Sequence, residues 1–229
     1  GGQLHKVNLQ SFSAATPIAL AVDTTTVDTE AASRGVPNYL SQEVVSPDGA
    51  RALLPSKKDN IVRGTFRDGL PLEHDKTVRS ILSQVNLQTA AEVFSEQLDF
   101  NDRAPARAAL YSPAGDYIFV AQMEGNRIAI VDAYNRSVRG EINASSAPHG
   151  LYLDAARKRL YVNNFLARSV SVHDVAQVLS SESAAPAFLQ NITTVAQEPM
   201  AAAALRGKQV FYNASDRRLS MNNYMSCAR

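Results

Sequence analysis

The sequence has no tryptophan, one cysteine and no long apolar run. A single cysteine, Cys227, excludes an internal disulfide. No run reaches the roughly 18 apolar residues that a membrane-spanning helix needs, so we expect no membrane span. The formal net charge of +1 provides no general attraction to nucleic acid, so we expect no nucleic-acid partner.

Catalytic motifs are also missing. The sequence contains no glycine-rich phosphate loop, no G-x-S-x-G nucleophile motif and no histidine pair at metal-ligand spacing. The acidic segment 22–32 lacks the residue order of a calcium-binding loop. We therefore predict no catalytic residue and no metal ligand in this chain, and rank a propeller hydrolase such as a lactonase last.

What the sequence does contain is a repeat. Residues 112–133, SPAGDYIFVAQMEGNRIAIVDA, align with residues 154–175, DAARKRLYVNNFLARSVSVHDV, at a shift of 42. Val120 then matches Val162, and Ile128 matches Val170. Each unit contains a tight turn, a strand rich in β-formers, a polar turn and a strand of alternating polarity. Two successive units of the same β-structure are predicted.

A third copy of the unit begins earlier, at residues 44–60, VVSPDGARALLPSKKDN. Its next strand is RSILSQVNLQT, residues 79–89, which follows an insertion at 63–77 with several charged residues. Residues 4–10 and 17–22 resemble the end of one more unit. The chain therefore opens within a repeat unit in this interpretation.

Units of about 40–45 residues with several short strands are typical of β-propeller blades. We predict an all-β fold, a partial propeller of about three to four blades of four-stranded antiparallel sheets, over residues 1–192. A β-sandwich with accidental internal similarity is the alternative. Since propellers close with about four to eight blades, missing blades or a second chain in a dimer would complete the ring.

The segment GLYLDAARKRLYVNNFLARSVSVHDV resembles the YVTN family of bacterial β-propellers, with Asn163 in place of the threonine of the Tyr-Val-Thr-Asn signature. Residues 30–64, with RGVPNYL and SKKDNIVRG, are similar to a subgroup in which a cytochrome c domain follows the blades. The resemblance implies a bacterial protein of the periplasm or another extracytoplasmic compartment. It implies a domain order but no reaction in the propeller.

Residues 193–229 are predicted to form a linker, a helix that Gly207 ends or interrupts, and the start of a cytochrome c domain. The segment GKQVFYNASDRRLSMNNYMSCAR resembles the approach to the first haem in di-haem cytochrome c peroxidases and MauG-like proteins. The matching positions are Gly207, Val210, Phe211, Leu219, Ser220, Ser226 and Cys227. The resemblance implies that Cys-His follows Arg229 and completes a C-x-x-C-H site for haem c, with Cys227 as the first thioether anchor. A free thiol is the alternative.

The function implied is that of an envelope redox protein. A propeller scaffold would carry a c-type haem domain for electron transfer, in one form with peroxidase-like activity, and an electron-transfer protein would be its partner. The insertion 63–77 would offer a docking face for the cytochrome domain or an electron partner; a solvated loop with mixed charges is the alternative. The alternative is a non-catalytic binding or structural propeller of the cell envelope. His149, in SAPHGLY, is placed at a turn that can face the channel of a propeller, as a ligand contact or as a hydrogen-bonded turn histidine.

Overall fold

The computed structural model describes residues 2–61, 73–183 and 185–228. Within these ranges the chain forms a short hairpin followed by three consecutive antiparallel sheets. The hairpin pairs β1 (Gln3–Leu4) with β2 (Ile18–Ala19). The part of the predicted insertion that precedes Glu73 lies outside the described residues.

The first sheet, blade A, has six strands. They are β3 (Val36–Asn38), β4 (Val44–Val45), β5 (Arg51–Asp59), β6 (Val78–Asn86), β7 (Ala91–Glu92) and β8 (Leu98–Phe100). A four-residue helix, α1 (His74–Thr77), leads into β6, and a 3₁₀ turn, Phe94–Glu96, separates β7 from β8. The long strands β5 and β6 pair from Arg51↔Asn86 to Asp59↔Val78, which confirms the predicted jump across the insertion.

The next two sheets have four strands each. Blade B contains β9 (Ala106–Tyr111), β10 (Tyr117–Gln122), β11 (Arg127–Asp132) and β12 (Ser137–Asn143). Blade C contains β13 (Pro148–Asp154), β14 (Arg159–Asn164), β15 (Ser169–Asp174) and β16 (Ala187–Thr193), with a short helix, α2 (Ala176–Leu179), before β16. A last helix, α3, spans Ala202–Phe211. The predicted repeat is confirmed, because β14 and β15 repeat β10 and β11 strand for strand.

Neighbouring blades pack face to face. In β10 every residue is buried, because alternate side chains point to opposite faces of a sheet and both faces of blade B are covered. Phe119 packs with Leu160 and Val162 of blade C. Ile118 and Val120 pack with side chains of blade A. Strand β9 packs against both β5 and β13, while the outer strand β16 is exposed along its whole length. Strands β9 and β13, the first strands of blades B and C, are therefore the inner strands, and the architecture is a partial β-propeller.

The two ends of this blade array differ. The hairpin covers the outer face of blade A, where Ile18 and Leu20 pack against Leu54 and Val85. The corresponding face of blade C stays accessible, since Tyr152 and Ile192 are 64% and 45% exposed. Among the described residues the array therefore ends in an uncovered sheet on the blade C side.

The segment 30–64, which carries part of the family resemblance, has a structural role. Lys58 is 2% exposed and donates to Asp23 Oδ2 at 2.8 Å and to Gln97 Oε1 at 2.9 Å. Burial alone would raise the pKa of Asp23, but hydrogen bonds from Lys58 and Thr26, with a smaller one from Thr25, outweigh it and lower the pKa below its usual range. These bonds tie the loop before β3 to the middle of blade A.

Gly35 sits where this loop meets β5. Its backbone exchanges two hydrogen bonds with Asp23, at 2.8 and 2.9 Å. Its φ is 140°, and a Cβ on Gly35 would lie 2.4 Å from the Asp59 carbonyl oxygen. A residue with a side chain is therefore excluded here both by conformation and by space.

Two predicted details were wrong. Gly207 lies inside α3, which continues to Phe211 and ends with Tyr212 donating its N–H to the Lys208 carbonyl. A glycine inside a helix costs only about 1 kcal/mol relative to alanine, so the flanking residues carry the helix through it. The strands predicted at 4–10 and 17–22 shorten to two residues each, with one further bridge between Val7 and Ala14.

The steric limit at Gly35 can be tested by alanine substitution. Gly35→Ala should lower the free energy of unfolding by ~1–3 kcal/mol, because the strained backbone would have to move away from Asp59. Gly207→Ala is the matched control: no atom lies within 4 Å of its added Cβ, so stability should hold or rise slightly. Denaturant titration measures both, and equal stability of the two variants would contradict the assignment.

The role of the buried ion pair between Lys58 and Asp23 can also be tested. Lys58→Met leaves the Asp23 carboxylate buried without its cation and should cost about 3–5 kcal/mol, and adding Asp23→Asn should recover part of that loss. Because the folded pKa of Asp23 lies below the unfolded value of about 3.9, its stabilisation is present above that pH and is lost as the pH falls. Urea unfolding between pH 7 and pH 3 measures this, and an unchanged pH slope in the double variant would count against it.

Candidate functional site

The residues after α3, 213–228, form a C-terminal segment that docks on the turn between β10 and β11. Ala214 donates its N–H to the Glu124 carbonyl at 2.8 Å, and Asn126 Nδ2 donates to Asn213 Oδ1 at 3.2 Å. Ser226 donates its N–H to Glu124 Oε2 at 3.3 Å. Glu124 is buried, so both ends of the segment are held by one residue of blade B.

Cys227, the predicted haem anchor, follows this last contact directly. It is exposed and free, whereas its neighbour Ser226 is buried and accepts the Ala228 N–H at 3.1 Å. The thiol lines a cavity of about 710 Å³. Cys227 thus combines an accessible sulfur with a fixed backbone.

The wall of this cavity is partly apolar. Leu219, Met221, Tyr224 and Met225 contribute from the C-terminal segment. The polar part comes from Glu30, from residues around α1, and from Ser220, Asn222 and Ser226 of the segment. An accessible thiol beside apolar side chains fits the attachment of a flat prosthetic group through a thioether. This is the observation on which the fit of haem c to the described residues rests.

The segment also contacts helix α1. The His74 and Tyr224 rings lie with their centroids 4.3 Å apart, and His74 Nε2 is 2.8 Å from Asp102 Oδ1. The hydrogen bond to His74 holds the pKa of Asp102 below its usual range. His74, which stood isolated in the sequence, therefore belongs to the docking contacts of the C-terminal segment.

A second cavity, the channel pocket, lies beside the first. It has a volume of about 430 Å³, and its wall includes Arg107, His149, Tyr39, Phe165 and Glu124. The C-terminal segment closes part of it through Ala228. Ser226 to Ala228 therefore separate the two cavities, with Cys227 on the wall of the larger one.

Three polar residues beside the channel pocket occupy the same position of consecutive blades. Arg107 and His149 are 42 residues apart, which is the repeat shift, and Ser41 precedes Arg107 by 66, the shift that superposes Ser46 on Ser112. Arg107 Nη1 donates to Ser41 Oγ at 3.0 Å, and Arg107 Nε donates to His149 Nε2 at 3.4 Å. The repeat thus produces a polar row, Ser41–Arg107–His149, along the inner strands.

The row fixes the chemistry of His149. Burial, together with the positive charge of Arg107, lowers the pKa of His149 below its usual value. Because a guanidinium can only donate, His149 Nε2 accepts, and the neutral ring carries its proton on Nδ1. The sequence placed His149 at a turn that can face the channel, but in the structure it is the second residue of β13, with Arg107 as its hydrogen-bond partner.

Two further titratable residues, Asp28 and His173, make structural contacts. Asp28, from the acidic segment 22–32, forms a salt bridge with Arg34 at 2.8 Å. His173 is buried against Ser171 and Phe188, and burial lowers its pKa. In the described ranges no group of three or more His, Cys, Asp or Glu residues is arranged to hold a metal ion, and no helix has the length and apolarity for a membrane crossing.

Sequence reasoning missed Arg107, Tyr39 and Glu124. The signal for Arg107 was the repeat shift itself, which superposes Arg107 on His149, the one turn residue already singled out. Glu124 had no such signal, because its equivalents in the other blades, Lys58 and Leu166, differ in charge.

No protein-family model and no curated protein matches the chain. Among solved structures, hydrazine synthase of Kuenenia stuttgartiensis aligns with a TM-score of 0.51 and 11% identity, over 76% of this chain and 65% of that one. The WD40 repeats of RRP9 align with a TM-score of 0.47 and 14% identity, over 67% of this chain and 38% of that one. The chain thus spans less than two thirds of either protein. At these identities the likeness concerns the fold alone, a β-propeller.

The anchoring role of Glu124 can be tested by proteolysis. Glu124→Ala removes the acceptor of the Ser226 N–H, so the C-terminal segment should open more often and trypsin should cut at Arg217–Arg218 about tenfold faster. Glu182→Ala, which changes an exposed glutamate of the loop before β16, is the matched control and should leave the rate unchanged. Equal rates in the two variants would exclude Glu124 as the anchor.

Proposed function

We propose that this chain is the propeller portion of a bacterial extracytoplasmic redox protein, and that haem c is attached through Cys227. The observation that carries the proposal is the position of the thiol, exposed at the wall of a 710 Å³ cavity and one residue from a buried anchor. When bound, haem c supplies a reversible one-electron couple.

The described residues would hold the attachment point in place. Glu124 fixes Ser226, which limits the movement of the Cys227 sulfur relative to the propeller. Met225 and Leu219 offer an apolar surface beside the thiol, and such a surface excludes water from a macrocycle. The propeller is then a rigid support, and the chemistry belongs to the group attached to it.

The resemblance to MauG-like and di-haem peroxidase sequences supports the finer parts of the proposal. In it, Cys-His would follow Arg229, this second thiol and the histidine would complete the attachment site, and an electron-transfer protein would be the partner. Peroxidase-like activity would need a second haem. The resemblance of RLYVNN to the YVTN signature supports a periplasmic location and a bacterial origin.

We further propose that additional blades or a second copy cover the accessible face of blade C. The exposed rings and side chains of Tyr152 and Ile192 support this, because propeller blades bury such faces against a neighbour.

A non-catalytic binding propeller is the second candidate. The observation that favours it is the Ser41–Arg107–His149 row, which places donors along a cavity without a nucleophile or a metal site among the described residues. Both functions are compatible with one molecule, since the row and Cys227 line different cavities.

The haem proposal predicts a covalent chromophore. The protein with its residues beyond Arg229, expressed in a host with haem-maturation machinery, should keep its Soret absorption after denaturation in acid and acetone. Cys227→Ser should shift the pyridine haemochrome spectrum to that of a single thioether, because one of two vinyl attachments is lost.

Met221→Leu is the control for that experiment, since it preserves the thiol and an apolar side chain on the cavity wall. It should keep the spectrum of the unmodified protein. A colourless full-length protein, or a gene without Cys-His after Arg229, would refute the attachment of haem at Cys227.

A further inference from the structure

We propose that the channel pocket binds a small planar monocarboxylate, with Arg107 as the residue that pairs with the carboxylate. The proposal rests on the polar row and the aromatic walls of the channel pocket and does not involve Cys227. Its ligand is a diffusible organic acid, so it is independent of the haem proposal.

The first support is the unused capacity of Arg107. Arg107 forms no salt bridge with a described acidic residue, although Arg103, Arg127 and Arg168 each pair with a glutamate. A guanidinium has five N–H donors, and the bonds to Ser41 and His149 use two of them. Three donors remain, enough for the two parallel bonds that a carboxylate accepts.

The second support is pre-organisation. Ser41 and His149 hold Arg107 from both sides, and they belong to the blades on either side of it. A guanidinium fixed in this way loses less side-chain entropy when a ligand binds than a freely rotating one. The neutral His149 ring, which lines the same pocket, carries a further donor at Nδ1–H.

The aromatic walls of the channel pocket define the rest of the ligand. Tyr39 is 57% exposed, and the Asn38 side chain accepts its backbone N–H at 2.9 Å. Phe165 lies with its ring centroid 6.2 Å from that of His149. Lys57 Nζ lies 4.4 Å from the Tyr39 ring centroid, so that ring already has one cation on it. Aromatic rings beside the Arg107 guanidinium favour a flat ligand whose body stacks on a ring and whose charged end pairs with Arg107.

The charges beside the pocket limit the ligand to one negative group. Lys208 lies 5.0 Å from the Phe165 ring centroid and adds a second positive charge at the edge. Glu124 also lines the pocket, and its carboxylate would repel a second anionic group. A cavity of about 430 Å³ is in the range of small-molecule sites, so a monocarboxylate with a ring fits.

Benzoate is the probe, and benzamide, which has the same shape without the charge, is its neutral counterpart. Titration calorimetry of the full chain should detect benzoate and show binding of benzamide at least about tenfold weaker, because the ion pair with Arg107 is lost. Amide resonances of residues around Arg107 and His149 should shift with benzoate. Equal affinities for the two compounds, or shifts confined to other residues, would overturn the proposal.

Variants separate the role of Arg107 from a loss of folding. Arg107→Met should weaken benzoate binding roughly tenfold or more, and Arg107→Lys should restore part of it, since it restores the charge without the fork. Arg157→Met, at an exposed arginine of blade C, is the matched control and should bind like the unmodified protein.

Cys227→Ser should also leave benzoate binding unchanged, which distinguishes this site from haem attachment. Retention of full affinity in a folded Arg107→Met variant, judged by its circular dichroism, would overturn the proposal.

Discussion

The structure depends on the burial of both faces of each sheet against neighbouring sheets. A single blade exposes an apolar face on each side, and the gain of about 25 cal/mol per Å² of buried apolar surface comes only when the next blade is in place. Blade B, with every residue of β10 buried, has this support on both sides. Blade C has it on one side only, and its Tyr152 remains exposed.

Face-to-face packing also creates the candidate sites. When equivalent sheets are arranged around an axis, the same position of each inner strand meets its counterpart near the centre. Arg107 donates hydrogen bonds to both Ser41 and His149 for this reason, although the three residues are far apart in the chain. Glu124, in the turn between β10 and β11, accepts two hydrogen bonds from the C-terminal segment.

Local patterns in the sequence predicted the elements that repeat. Alternation and turn residues were enough for β10, β11, β14 and β15, and the predicted end of the β-structure near residue 193 coincides with the end of β16. The prediction that Gly207 ends or interrupts the helix was wrong. The free-energy cost of one glycine is small compared with the stability that the surrounding helical residues provide. The helix propensity of one residue has little influence where several neighbouring residues all favour the helix.

Contacts between distant residues could not be predicted. In the sequence Lys58 and Asp23 have the appearance of solvated charges. Their ion pair offsets the free-energy cost of removing both charges from water. The contact between the His74 and Tyr224 rings joins a residue inside blade A, between β5 and β6, to one that follows blade C in the chain. Only part of the candidate site could be predicted from the sequence for a similar reason. Cys227 and His149 have side chains whose chemistry is recognisable in the sequence. The role of Arg107 depends on its position beside Ser41 and His149, which only the structure shows.

The strip of backbone from Ser226 to Ala228 belongs to the walls of both cavities. Binding in the two cavities is thermodynamically linked if a ligand in one cavity moves this shared strip toward the other. If a ligand in the channel pocket changes the free energy of binding beside Cys227, a group bound beside Cys227 changes the free energy of ligand binding in the channel pocket by the same amount, since linkage is reciprocal. The hydrogen bond from the Ser226 N–H to Glu124 restrains the movement of this strip.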